Sequence, residues 1–152
     1  MSYRRVGTLE EAAEAVRQLE LRTVVVDVEP LVAFWDTGSE VLEAGVARVL
    51  AALDVEVVLF ATNSWRRCAS YEGYVAKARK PFALARYKRL PRPGAVLGDQ
   101  VATDGVLALR LGFVFLHYCP VLQRVPLRPR LMRGLGKLLR PLLFRSRAWR
   151  DG

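Results

Sequence analysis

Apolar and polar positions divide the chain into short runs of two alternating kinds. Thr8-Leu9-Glu10-Glu11 has the spacing of a capping box, and Ala12, Ala15, Val16 and Leu19 then share one face, so a first helix is predicted to about Leu19. Thr23-Val24-Val25-Val26-Asp27-Val28 is a β-branched run without alternation, as expected of a strand covered on both faces, and Pro30 stops it. Leu42, Val46, Val49, Leu50 and Leu53 recur at helical spacing and predict a second helix from Ser39 or Glu40 to Leu53. Glu56 to Ala61 reads as a strand, residues 65–73 as irregular, Tyr74 to Ala78 as a weaker strand, and Phe82 to Leu90 as a helix with Pro81 in its first turn. After the turn Pro91-Arg92-Pro93-Gly94 come a strand Ala95 to Asp99, a helix to Leu111 capped by Thr103 or Asp104, and a fifth strand from Phe113 to Cys119.

Strands alternating with helices predict an α/β fold, Rossmann-like and three-layered, with a central parallel sheet between helices. Ligands of such sheets bind at the carboxyl ends of the strands. The polar residues cluster at those ends: Asp27 and Glu29 after the first predicted strand, Thr62 after the second, Lys80 after the third, Asp99 and Asp104 after the fourth. Carboxylates converging on one crevice repel one another unless counter-charge is supplied. Lys80 gives one positive charge, and a divalent cation would give two more. With oxygen ligands that cation is expected to be Mg²⁺. A carboxylate nucleophile, a hydroxyl, a lysine and Mg²⁺ together describe a phosphoryl-transfer site, in which an acyl-phosphate intermediate divides the reaction into two easier steps.

The ordered set resembles the HAD (haloacid dehalogenase-like) phosphatase superfamily. Its four motifs read here as Val25-Val26-Asp27-Val28-Glu29, Phe60-Ala61-Thr62-Asn63, Lys80-Pro81, and Gly98-Asp99-Gln100-Val101-Ala102-Thr103-Asp104. The key positions are 35, 18, 19 and 5 residues apart, which leaves no room for a cap domain, and the pattern is most similar to the capless YqeG-like subgroup. The resemblance covers roughly residues 20–145. It implies a Mg²⁺-dependent phosphomonoester hydrolase in which Asp27 attacks phosphorus and Glu29 is the general acid and base, with its backbone carbonyl facing the metal. Thr62, Asn63 and Lys80 would then bind the phosphoryl group, and Asp99 and Asp104 would complete the metal set of Asp27, Glu29, Asp99 and Asp104. Some members of the resembling family act on phosphatidylglycerophosphate, so an anionic phospholipid is one implied substrate.

Two departures set the alternative. Glu29 stands where the family has aspartate, and a carboxyl displaced by about 1 Å can cost about 100-fold in rate. Pro30-Leu31 replaces Asn-Thr, removing one backbone N–H and one hydroxyl. The alternative is a catalytically weakened HAD-like domain that acts as a binding module through its basic tail.

Composition changes this picture in one respect. Residues 1–120, read as the domain core, hold 15 Lys/Arg and 14 Asp/Glu, whereas 121–152 hold 9 Lys/Arg and only Asp151. Such a tail suits a polyanionic partner. Leu131, Leu135, Leu138 and Leu142 fall on one side of a helical wheel, widened by Leu127 and Leu139, with Arg133, Lys137 and Arg140 opposite. Gly134 and Gly136 weaken that helix, and Pro141 is expected to end it at Arg140. Packing of the Leu face on the domain is the first expectation and contact with an anionic membrane the second. Nucleic acid ranks last, because only Phe144 and Trp149 are interleaved for stacking.

The start of the chain has no signal-peptide pattern, and the longest uncharged run, Leu111 to Gln123, is 13 residues against the ~20 of a membrane span, so the expected place is cytoplasmic or peripheral at a membrane. Cys68 and Cys119 are expected to be reduced thiols, His117 to be structural, and Phe34, Trp35 and Tyr71 to form an apolar rim over the crevice or to serve core packing. Two Cys and one His cannot build a tetrahedral zinc site.

Overall fold

The computed structural model describes residues 2–120 together with 134, 135, 138–141 and 143. Six strands form one sheet: β1 (Tyr3–Val6), β2 (Thr23–Val26), β3 (Val57–Ala61), β4 (Tyr74–Val75), β5 (Gly94–Gly98) and β6 (Val114–Tyr118). Their spatial order is β1-β6-β5-β2-β3-β4, and every pairing is parallel. Helices α1 (Leu9–Gln18), α2 (Ser39–Ala52) and α3 (Val106–Leu111) complete the α/β architecture.

The sheet separates two apolar clusters. Val24 and Val26 of β2 face one cluster with Ala12 and Val16 of α1 and Leu42 and Val46 of α2. Val25 faces the other, with Phe113, Phe115 and the α3 residues Leu107 and Ala108. The unalternating valine run is thereby explained, because both faces of β2 are covered by layers of helix. At α1 the Thr8 hydroxyl accepts the Glu11 N–H at 3.1 Å, while Glu11 reaches back to the Gly7 N–H at 2.7 Å. That contact is one residue beyond the usual capping box.

Four sequence expectations are corrected, and one strand is added. β1 was not foreseen: Tyr3-Arg4-Arg5-Val6 is short and polar, and it becomes a strand only by pairing with β6 at the sheet edge. β2 stops at Val26, and β4 keeps only two residues. In place of a helix over Phe82 to Leu90 there is one 3₁₀ turn, Ala85–Tyr87, and Pro81 follows a cis peptide bond rather than opening a helix. Within 82–90 only Tyr87 is buried and Phe82 is 78% exposed, so the segment has no continuous apolar face against the sheet to sustain a helix. Asp104 does not cap α3 from outside, because it lies inside a π-helical turn, Val101–Gly105, that precedes the helix.

In the tail, residues 134, 135, 138–141 and 143 are helical, so helical backbone passes Pro141. Leu143 packs against the second cluster, which opposes the proline's cost, and the Arg140 guanidinium lies 6.0 Å from the Tyr3 ring centroid. Leu135 and Leu138 are 46% and 73% exposed. Leu127, Leu131, Arg133, Gly136, Lys137, Leu142, Phe144 and Trp149 lie outside the described residues. Among the described residues no helix is long and apolar enough to cross a membrane.

Candidate active site

From β2 the chain moves to β3 on one side and later to β5 on the other, so β2 stands at the switch point where an open α/β sheet leaves a crevice. Asp27 follows β2, and its N–H bonds the Leu97 carbonyl of β5 at 2.8 Å. That pairing sets Asp27 beside Gly98-Asp99. Asp104 comes back to the same point from the π-helical turn. Its Oδ2 accepts the Gln100 N–H at 3.2 Å. A Cβ at Gly98 would collide with the Asp104 carboxylate, so this position needs glycine.

Lys80 closes the cluster. Its Nζ lies 2.8 Å from Asp27 Oδ1 and 2.7 Å from Asp104 Oδ1. Asp27 Oδ1 also accepts the Val28 N–H at 2.9 Å. Ligand oxygens of Asp27, Asp99 and Asp104 lie within 4.8 Å of one another, and all three residues are buried. Burial, reinforced by the Asp104 and Asp99 carboxylates, pushes the Asp27 carboxyl well above its ordinary range, with Lys80 pulling the other way. Burial alone would depress Lys80, but Asp104 and Asp27 outweigh it and hold the ammonium above the usual lysine value. Three carboxylates and one ammonium leave two formal negative charges when all are ionised. The donor set is buried and all oxygen, so it can hold a hard divalent cation, with Asp27, Asp99 and Asp104 as the residues that would bind it.

Glu29 is buried but is not part of that triad. Its Oε2 accepts the Thr62 hydroxyl at 2.7 Å, its Oε1 accepts the Ser64 hydroxyl at 3.2 Å, and Arg66 Nη1 stands 3.5 Å from Oε1. Arg66 also donates to the Phe34 carbonyl at 2.6 Å and, through Nη2, to Thr37 O and Oγ1 at 2.9 and 3.0 Å. It therefore straps the loop after β2 to the loop after β3. Asn63 uses both ends of its amide on the Lys80 backbone: Oδ1 accepts the N–H at 2.8 Å and Nδ2 donates to the carbonyl at 3.1 Å. Its part is to fix the lysine's base.

Asp27, Glu29, Thr62, Asn63 and Lys80 all line one cavity of about 130 Å³. Asp99 and Asp104 join the cavity residue Asp27 in the triad. Ser64, Trp35, Gln100 and Thr103 also line the cavity, and the sequence reading missed Ser64, Gln100 and Thr103 as site residues. Ser64 follows Thr62-Asn63 directly, and Gln100 and Thr103 lie within the fourth motif, so proximity was the available signal. Of the expected rim, Trp35 lines the cavity and Phe34 is exposed, but Tyr71 belongs to the core, where it meets Phe60 edge-on and donates to the Val58 carbonyl at 2.8 Å.

His117 supports the site from behind. Nδ1 lies 2.7 Å from the Tyr3 hydroxyl and Nε2 lies 3.2 Å from the Asp99 carbonyl oxygen. Burial lowers its pKa to about 4, so the ring is neutral at pH 7. Cys68 and Cys119 are free thiols. Compared with protein-family models, curated proteins and solved structures, the chain finds no match.

Proposed function

We propose that this chain is a Mg²⁺-dependent phosphomonoester hydrolase of the capless HAD type, working through an aspartyl-phosphate intermediate. The observation that carries the reading is the double contact of Lys80 with Asp27 and Asp104, in a buried triad completed by Asp99. Asp27 Oδ1 is committed to the Val28 N–H and Lys80, which leaves Oδ2 to attack phosphorus. As that bond forms, the ester P–O bond breaks and the leaving oxygen takes a proton from the Glu29 carboxyl. Water then attacks the acyl phosphate, giving its proton back to Glu29. Inorganic phosphate leaves and the Asp27 carboxylate is restored. Lys80 neutralises charge on the transferring group, and Asp104 holds Lys80 in place. Mg²⁺, when bound, adds positive charge that offsets the phosphoryl oxygens and keeps the carboxylates ionised.

The Thr62–Glu29 hydrogen bond favours a second reading, the catalytically weakened domain. The hydroxyl that should face a phosphoryl oxygen, and the carboxyl that should serve the leaving group, satisfy each other at 2.7 Å. Hydrolysis of an aryl phosphate with Mg²⁺ and with chelator separates the two. The hydrolase reading expects Mg²⁺-dependent turnover, a phosphoryl group on the Asp27 peptide after acid quench, and a loss of at least about 10³-fold in Asp27→Asn. Turnover indifferent to Asp27→Asn would refute the mechanism. A folded, Mg²⁺-binding protein inert towards several phosphomonoesters would establish the second reading.

A further inference from the structure

The positive charge that distinguishes the chain is not confined to its tail. Residues 63–90 carry eight Lys/Arg against the single acid Glu72, an excess hidden by the acidic first third of the sequence. All strands run one way, so the loops after β2, β3 and β4 emerge on the edge that holds the cavity. Each of these loops presents one large aromatic to solvent: Phe34 is 47% exposed, Trp65 76% and Phe82 78%. They flank cavity residues in the chain, Phe34 next to Trp35, Trp65 next to Ser64, and Phe82 two residues after Lys80. The loops are also joined to one another. Arg66 donates to the Phe34 carbonyl at 2.6 Å, and the Lys77 N–H to the Ser64 carbonyl at 2.9 Å. Exposed cations stand among the aromatics: Arg67, Arg79 and Lys77, whose Nζ lies 2.9 Å from the Trp65 ring centroid.

From this juxtaposition we propose that the Phe34, Trp65 and Phe82 rim, with Arg67, Lys77 and Arg79, docks on an anionic lipid bilayer and sets the cavity mouth against the headgroups. Aromatic side chains with a cationic border suit the water–lipid boundary, where rings enter the interface and cations meet anionic headgroups. Each such cation strengthens attachment roughly fivefold on a strongly anionic surface. A single-stranded nucleic acid fits less well, because base stacking needs open ring faces and Lys77 covers one face of Trp65. This docking concerns the surface around the cavity and does not depend on hydrolysis there.

The test is sedimentation of the full chain with phosphatidylcholine vesicles with and without phosphatidylserine. Binding is expected only with the anionic lipid, falling with added salt. Trp65→Ser/Phe82→Ser and Arg67→Gln/Lys77→Gln are each expected to weaken it by about tenfold or more. Leu135→Ser/Leu138→Ser, on exposed tail positions, is expected to bind within about twofold of the parent. In a Trp35→Phe/Trp149→Phe background, Trp65 fluorescence is expected to shift to the blue and to be quenched by brominated lipid. This second readout needs no loss of binding and so survives a variant that folds poorly. Equal binding to neutral vesicles, undiminished binding by folded rim variants, or an unquenched Trp65 would overturn the proposal. So would loss of binding in the tail variant alone, or binding of single-stranded oligonucleotide in preference to vesicles.

Discussion

Replacing Lys80 by methionine keeps most of the side chain's volume and deletes its charge. Each of its contacts, at 2.8 and 2.7 Å, corresponds to about 6 kcal/mol of Coulomb attraction at an effective dielectric constant of about 20. Desolvation of the three ions offsets much of that, and removing one partner of a buried pair costs about 3–5 kcal/mol because the remaining charges are left uncompensated. For a chain of this size the loss lowers Tm by roughly 6–20 °C. The assay is thermal denaturation of parent and Lys80→Met at neutral pH in chelator and then in Mg²⁺. An ion at about 100 times its Kd adds close to 2.7 kcal/mol, and the gain is expected to be larger in the variant, whose triad has lost its own cation. Adding Asp104→Asn to Lys80→Met removes the repulsion as well and is expected to restore about 1–3 kcal/mol. A Lys80→Met protein that melts with the parent in chelator would refute the argument, because the carboxylates would then not be sharing that charge.

Three further outcomes follow from the geometry. The single His makes the imidazole directly visible by NMR, and its titration is expected near pH 4. A ring titrating near 6.5 would contradict the burial described. Because the folded pKa lies below the unfolded 6.5, the neutral ring's contribution is complete above pH 6.5 and is lost as pH falls towards about 4. The full effect is about 3 kcal/mol, read as the difference in pH dependence between parent and His117→Gln by denaturant unfolding. Gly98→Ala forces Asp104 away and is expected to cost about 1–3 kcal/mol and weaken Mg²⁺ binding in titration calorimetry, whereas unchanged affinity would mean that Asp104 has room to move. Asn63→Ala removes both bonds to the Lys80 backbone, at about 1 kcal/mol each. Hydrogen exchange at the Lys80 amide is expected to accelerate, and an unaltered rate would deny Asn63 its positioning part.

The strand ends were the legible part of the sequence. Asp27, Thr62 and Asp99 each directly follow an apolar run that becomes a strand, and parallel strands bring their successors to one edge, which Lys80 and Asp104 reach from the loops beyond. Less legible was what depends on partners far along the chain. β1 looks polar until β6 supplies its ladder, and the helix expected at Phe82 to Leu90 has adequate propensity but buries only Tyr87. The role of Glu29 turned on Ser64 and Arg66, whose contacts no spacing announces. The near-neutral balance of residues 1–120 also hides a local asymmetry, because the basic stretch at 63–90 cancels against acids of the first third.

The open sheet ends in two strands that could recruit a foreign chain, and each is blunted in its own way. β4 offers two residues, too few to template a ladder, and β1 carries adjacent arginines, of which Arg4 is engaged by Gln18 at 2.7 Å. Substituting Arg4 and Arg5 with valine would therefore leave the cavity untouched yet create a flat, sticky border. Pairing of a foreign strand along this border would have to bury or displace that pair of guanidinium groups.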